Sequence, residues 1–222
     1  MGKYWPRLDR ANKSFTRSGS DNSDKNIYTY NEWGFRGDSI HEDIKLVTLG
    51  CSHTEGIGVN DNETWPYYLA QNLGVKHINM GFTGRSNDYI SRMALEFLGK
   101  ITPTYVVVMY TYPERREYYT EYGYQPWHPN PWGYFKDHTD KYKAFAELAS
   151  PPSDYDNYLK NRGIVELMCD CIGANYAWNG SFISDDHYPY NRVDGDYNIP
   201  YGRHATPKEN KKLADHLFGY LR

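Results

Sequence analysis

The sequence predicts an α/β protein: one parallel sheet with helices on both faces, a three-layer α/β/α sandwich. Two observations predict it. Short apolar runs of strand length, "IKLVTLG", "VKHINMG" and "TYVVVMYT", alternate with longer segments of helical period. The connections between them are also long enough for helical crossovers, which join parallel neighbours in the right-handed sense.

Residues 1 to 43 are rich in Ser, Asn, Asp and charge but carry Trp5, Phe15, Tyr28, Tyr30, Trp33 and Phe35, which predicts an N-terminal arm laid on the core. From Ile44 to Gly50 the chain reads as a buried strand. The next segment, "ETWPYYLAQNLG", reads as a helix with Pro66 in its first turn and Gly74 closing it. A second strand runs to Gly81. A second helix, "SNDYISRMALEFLGK", starts from Ser86 or Asn87 as N-cap and turns Ile90, Met93, Leu95, Phe97 and Leu98 to its apolar positions. Thr104 to Thr111 is the plainest strand.

Residues 113 to 152 break the rhythm with a Pro-, Gly- and aromatic-rich insertion, of the kind that serves as a lid or interface loop, ending in the helical "KAFAELAS". A helix is expected from an N-cap at Ser153, then a fourth strand in "ANYAWNG", an irregular polar stretch over 181 to 205, and a last helix with Thr206 as cap and Pro207 at its first position. Residues 44 to 222 thus make a single domain, long enough for a real core.

Over 222 residues the formal net charge is -3, which gives no footprint for nucleic acid or an anionic membrane. Three cysteines make no even disulfide framework, and "MGKYWPRLDR" lacks the apolar core of a signal peptide, so a cytoplasmic protein is expected. No run reaches the roughly 18 apolar residues of a membrane span. The 23 tyrosines and 6 tryptophans fit a polar protein in which Tyr replaces Phe and Leu, and equally fit sugar-facing or interface surfaces. Cys169 and Cys171 lie two apart in an expected helix, on different faces, with no Cys or His pair at zinc spacing; no metal or cofactor is expected.

In a parallel α/β sheet, functional groups gather at the carboxyl ends of the strands. Three strands here end in reactive sequence: "GCSHTEG", "NMGFTGRSND" and "MYTYPERRE". Ser52 stands at a strand-to-helix turn with its hydroxyl exposed and its own N–H facing forward, and Gly81 lets a second N–H approach because no Cβ obstructs it. Ser52 as nucleophile, those two donors and His204 as general base would form an acyl-transfer site. His53 adjoins the nucleophile but faces elsewhere, with a structural or pocket-rim role.

These segments resemble the SGNH, or GDSL, hydrolase superfamily. Gly50, Ser52, Thr54 and Gly56 match its first block, with Cys51 in place of Asp; Asn79, Gly81 and Gly84 match the second; and His204 before the C-terminal helix matches the last. "NEWGFRG", Asn31 to Gly37, is similar to a segment ahead of the first strand in many bacterial members. The resemblance implies a flavodoxin-like sandwich and a serine esterase, on a small ester or an acylated carbohydrate. Two blocks depart from the pattern. The Asn of the third block is absent from Tyr110-Thr111-Tyr112-Pro113, so a third oxyanion donor would come from Asn87, Arg115 or Arg116. The acid three residues before the His is replaced by Tyr201, so Asp196, or Asp194, or a backbone carbonyl would orient the imidazole. His187, beside Asp185 and Asp186, is the rival base. Cys51, in the place of a side chain that turns from substrate, ranks below Ser52. The other reading is a weakened or inactive scaffold acting as a binding or structural protein, such as a virion component.

Overall fold

The computed structural model describes residues 8–18, 25–120, 123–127, 147, 149–180 and 204–221. Its strands are β1 (Ser14–Ser18), β2 (Lys25–Thr29), β3 (Arg36–Gly37), β4 (Ile44–Gly50), β5 (Lys76–Gly81), β6 (Tyr105–Met109), β7 (Arg116–Thr120), β8 (Gly123–Trp127) and β9 (Asn175–Asn179). Its helices are α1 (Ser52–Glu55), α2 (Trp65–Leu73), α3 (Asn87–Ile101), α4 (Pro151–Ile172) and α5 (Pro207–Tyr220).

The central sheet has the order β3-β5-β4-β6-β9. Strands β5, β4, β6 and β9 are parallel, as expected of strands joined by helical crossovers, and the two-residue β3 pairs antiparallel on the β5 edge. Strand alternation sends successive residues to opposite layers. Val47 and Leu49 of β4 and Val106 and Val108 of β6 pack with α3 and α4, through Ile90, Met93, Phe97 and Val165. Leu46 of β4 and Val107 and Met109 of β6 pack with α2 and α5, through Trp65, Leu69, Leu213 and Leu217. The α/β/α layering expected from the sequence is the architecture observed.

Local chemistry sets the helix ends. Thr64 caps α2 by accepting from the Tyr67 N–H, Ser86 caps α3 through the Tyr89 N–H, and Thr206 with Glu209 forms a capping box on α5. Helix α4 begins at Pro151, capped by Ser150 and not by Ser153, whose N–H is instead the donor to the Ser150 hydroxyl. The two prolines fit because a first helical turn needs no N–H from them. The N-terminal residues, expected as an arm laid on the core, pair as the β1–β2 hairpin and add β3 to the sheet. Tyr28, Tyr30 and Phe35 are buried, Phe35 meeting Phe97 edge-on at 5.7 Å. In the insertion, β7 and β8 form a second hairpin, and the helix expected over 143–150 lies outside the described residues apart from Glu147, Ala149 and Ser150. Among the described residues no helix is long and apolar enough to cross a membrane.

Two glycines let α1 sit directly on the sheet. A Cβ on Gly50 would stand 2.0 Å from Thr54 Oγ1, and one on Gly81 would stand 2.2 Å from the Glu55 nitrogen. The second clash is with backbone, which cannot swing aside. Gly81→Ala is therefore expected to cost about 1–3 kcal/mol by urea denaturation, the range for overpacking. Gly99→Ala, on α3 with nothing within 4 Å of the new methyl, should be neutral or stabilising by about 0.4–1 kcal/mol.

Candidate active site

Strand β4 ends at Gly50 and the chain folds at once into the four-residue α1, Cys51 O accepting from Thr54 N at 3.1 Å and Glu55 N at 2.9 Å. Cys51 points inward and is buried, whereas Ser52 is half-buried. The Ser52 N–H, at the first helical position, has no acceptor among the described residues, and neither has its hydroxyl.

The turn is held from the edge strand β3. Arg36, 2 % exposed, donates from Nη1 to Glu55 O (2.7 Å) and Gly56 O (2.9 Å), from Nη2 to Val59 O (3.3 Å), and from Nε to Asp61 Oδ1 (2.6 Å). Its guanidinium lies 4.3 Å over the Tyr28 ring. The buried Glu55 carboxylate accepts from Tyr30 Oη at 3.0 Å, from Thr83 N at 2.7 Å and from the Thr83 hydroxyl, with Arg10 3.6 Å away. The same carboxylate thus fastens both the N-terminal arm and the loop after β5.

His204 arrives from the far end of the chain. Asn210 of α5 donates to Ala205 O at 3.3 Å and accepts from the Trp65 N–H at 3.2 Å, which docks the start of α5 on the start of α2. The His204 ring then packs against the His53 ring, centroids 4.9 Å apart and planes tilted by 40°. So the structure brings His204 to the turn that carries Ser52, and His53, expected to face elsewhere, is the residue that meets it. No hydrogen bond joins His204 to the Ser52 hydroxyl.

Three other expected site residues have different places. The Gly81 N–H, expected as an oxyanion donor, is donated to Asn79 Oδ1 at 2.9 Å, and Asn79 Nδ2 is bonded to Thr54 O at 2.6 Å. Gly81 serves close packing instead. Asn87 is fully buried and clamps the chain after β6: Thr111 N donates to Asn87 Oδ1 (2.9 Å) and Asn87 Nδ2 donates to Thr111 O (3.1 Å). A side chain so enclosed cannot touch a ligand. Arg116 is engaged with Asp154 of α4 at 2.5 Å. Arg115 is held at the site: Nη1 donates to Thr111 Oγ1 at 2.9 Å and the guanidinium lies 4.8 Å over the Tyr112 ring. Asp194, Asp196, Tyr201, Asp185, Asp186 and His187 lie outside the described residues.

Gly84, matched in the sequence to the second block of the resemblance but given no role, stands in the loop after β5 with φ of +72°, and its N–H has no acceptor among the described residues. Its left-handed conformation was the available signal. A polar cleft of about 440 Å³ lies apart from this cluster, lined by Arg36, Asp38, Asp61, Tyr67, Lys76 and His77 among others and by none of the expected site residues. Among the described residues no three His, Cys, Asp or Glu side chains gather as a metal site.

Burial, followed by the charges of His204 and Arg115, pushes the His53 imidazole down to about 3. Burial also lowers His204, against the opposing pull of Glu55 and with a further lowering from Arg115. Both rings are therefore neutral at pH 7, and His204 is in the form a general base requires.

No family model matches the chain, and no curated protein matches it. Among solved structures it is similar to TesA, with 11% identity and a TM-score of 0.49 over 80% of this chain and 98% of that one. It is also similar to the acetyl xylan esterase AlAXEase, with 15% identity and a TM-score of 0.40 over 81% of this chain and 100% of that one. The acetylxylan esterase Axe2 from Geobacillus stearothermophilus, a catalytic mutant, gives 12% identity and a TM-score of 0.39 over 81% and 96%.

The neutral, buried His53 makes stability depend on pH. Below the ordinary histidine value of 6.5 the unfolded chain binds a proton at this position that the folded chain refuses until about pH 3, so stability falls as pH falls through that window. Thermal unfolding followed from pH 7 to pH 4 should show this slope, and His53→Phe, which keeps a ring against His204, should reduce it.

Proposed function

We propose that this protein is a serine hydrolase of the SGNH type that cleaves an ester through an acyl-enzyme on Ser52, with His204 as general base. The observation that carries the reading is the seating of His204 against the Ser52–His53 turn, at the carboxyl ends of β4 and β6, beside a serine whose hydroxyl and N–H are both unengaged among the described residues. Ser52 Oγ attacks the ester carbonyl while His204 takes its proton; the alcohol leaves with that proton, and water activated by the same imidazole releases the acid and restores Ser52. Contact between Ser52 Oγ and His204 closes on substrate binding, as catalytic hydrogen bonds commonly do. The Ser52 and Gly84 N–H groups are the two backbone donors to the oxyanion, Gly84 taking the place expected of Gly81. Asp196 is kept as the residue that orients His204.

The substrate class is supported by the insertion. Tyr118 and Tyr119 of β7 are 40% and 54% exposed, faces on which a sugar ring can stack, in keeping with an O-acyl carbohydrate. A second reading, an inactive scaffold used for binding, is favoured by the engagement of Gly81 and Asn87 in packing.

Incubation with p-nitrophenyl acetate and with an organophosphorus serine probe separates the two. Turnover and labelling should fall at least about a thousandfold in Ser52→Ala, in line with loss of a nucleophile. Equal inertness of wild type and variant supports the scaffold. The acid limb of kcat/KM should also lie below the ordinary histidine value of 6.5, because His204 is lowered and active when neutral.

A further inference from the structure

Among the described residues no ion pair answers the charge of Arg115. Of its five N–H groups, one on Nη1 is donated to Thr111 Oγ1, and the ring of Tyr112 supports the guanidinium plane from one face. No carboxylate among the described residues forms an ion pair with it, although Glu114 is its neighbour in the chain and feels its field. The other arginines nearby are answered: Arg116 by Asp154, Arg92 by Glu117, and Arg85 lies 3.7 Å from the same Glu117. Arg85 Nε and Nη1 are sealed from solvent without a hydrogen bond, whereas Nε and Nη2 of Arg115 are not sealed.

The place of this cation is fixed by the sheet. Gly50 of β4 is in register with Met109 of β6, so the two residues that follow each strand, ending in Ser52 and Thr111, emerge side by side. Thr111 is held at both backbone groups by Asn87, and Arg115 is anchored on its hydroxyl. The guanidinium is therefore placed beside the turn that carries Ser52, its charge reaching His53 and His204, with Nη1 occupied and the Nε–Nη2 edge without a hydrogen bond among the described residues. That edge presents two parallel N–H donors, the geometry that takes a carboxylate in bidentate fashion. One cation without an ion pair among the described residues matches a monoanion, whereas a phosphate dianion calls for more than one.

We propose that Arg115 is the receptor for a carboxylate on the substrate, so that the ester taken by this site is an anionic one: a half-ester of a dicarboxylic acid or an acylated acidic sugar. This rests on the reading of Ser52 as the nucleophile. It assigns Arg115 to substrate selection and not to the oxyanion, two roles with different signatures. A group that serves the oxyanion speeds every ester alike, whereas a carboxylate receptor speeds only the acidic ones.

The test compares kcat/KM for 4-nitrophenyl hydrogen glutarate with that for 4-nitrophenyl butyrate, and for O-acetylated methyl galacturonoside with its uncharged galactoside. The first pair places the carboxylate on the acyl side and the second on the alcohol side. Wild type should favour the acidic member of one pair by about tenfold or more, the worth of a single charge-assisted hydrogen bond. Arg115→Met should bring that ratio to near one and Arg115→Lys should keep part of it. Equal slowing of acidic and neutral esters by Arg115→Met overturns the assignment, as does a wild type without preference in either pair. Binding is read separately in Ser52→Ala, where monomethyl glutarate should shift the Arg115 Nε–Hε signal and dimethyl glutarate should not. If that shift appears but no ester is turned over, the nucleophile reading fails and the carboxylate site stands. If the shift is missing, the carboxylate site falls whatever the hydrolysis shows.

Discussion

The buried Arg36 guanidinium governs the rest of the molecule. A turn that leaves a parallel strand and reverses within four residues exposes carbonyls with no helix long enough to use them. Arg36 answers three of these, at Glu55, Gly56 and Val59, and is itself neutralised by Asp61. Removing one partner of such an arrangement leaves a buried charge or buried carbonyls without compensation, which is costly in either direction. The shape of the Ser52 turn is thus decided by a residue from the N-terminal arm, not by the strand and helix that flank it. Glu55 repeats the logic with the opposite sign, gathering Tyr30 and Thr83 around one carboxylate.

Buried and half-buried amides and carboxylates do similar work elsewhere. Asp88 accepts from Asn157 and Asn161 of α4 and from the Glu117 N–H, so one side chain registers α3 against α4 and β7. Asn87 sets the exit of β6, and Asn210 sets the approach of α5. Each of these bonds is directional, unlike apolar contact. Together they fix the strand ends and loops, while Val, Leu and Ile fill the two layers between sheet and helices. The loops that carry Ser52, Gly84, Thr111 and His204 are all tied by such groups.

Much of the sheet and its helices was legible because hydrophobic period reports burial on a repeating lattice. Strands β4, β5, β6 and β9 and helices α2, α3 and α5 all follow from it. The hairpins β1–β2 and β7–β8 did not, since short strands lying partly outside the core carry no apolar alternation, and β3 is only two residues long. That His204 comes to the turn carrying Ser52 was legible from their places at strand and helix ends. Gly81 and Asn87 were misplaced because residue type alone does not say where an N–H or amide points. A glycine after a strand may free its N–H or make room for a neighbour, and at Gly81 the nearness of the Glu55 nitrogen decides it. His53 was read as a structural or pocket-rim residue, and its contact with the incoming His204 ring could not be foreseen because the two lie far apart in sequence.

The dependence of the Ser52 turn on Arg36 has a consequence for the order in which the chain assembles. Synthesis delivers Arg36 before every acceptor of its hydrogen bonds, and β3 before the β5 edge on which it pairs. A parallel sheet also matures late, because its neighbours are distant in sequence. The arm must therefore wait, with a cation and the rings of Tyr28, Tyr30 and Phe35 unsheltered, until β4 and β5 have formed. Its closure over the turn follows the pairing of β4 with β5, so a chain arrested before that point would lack the shaped turn at Ser52.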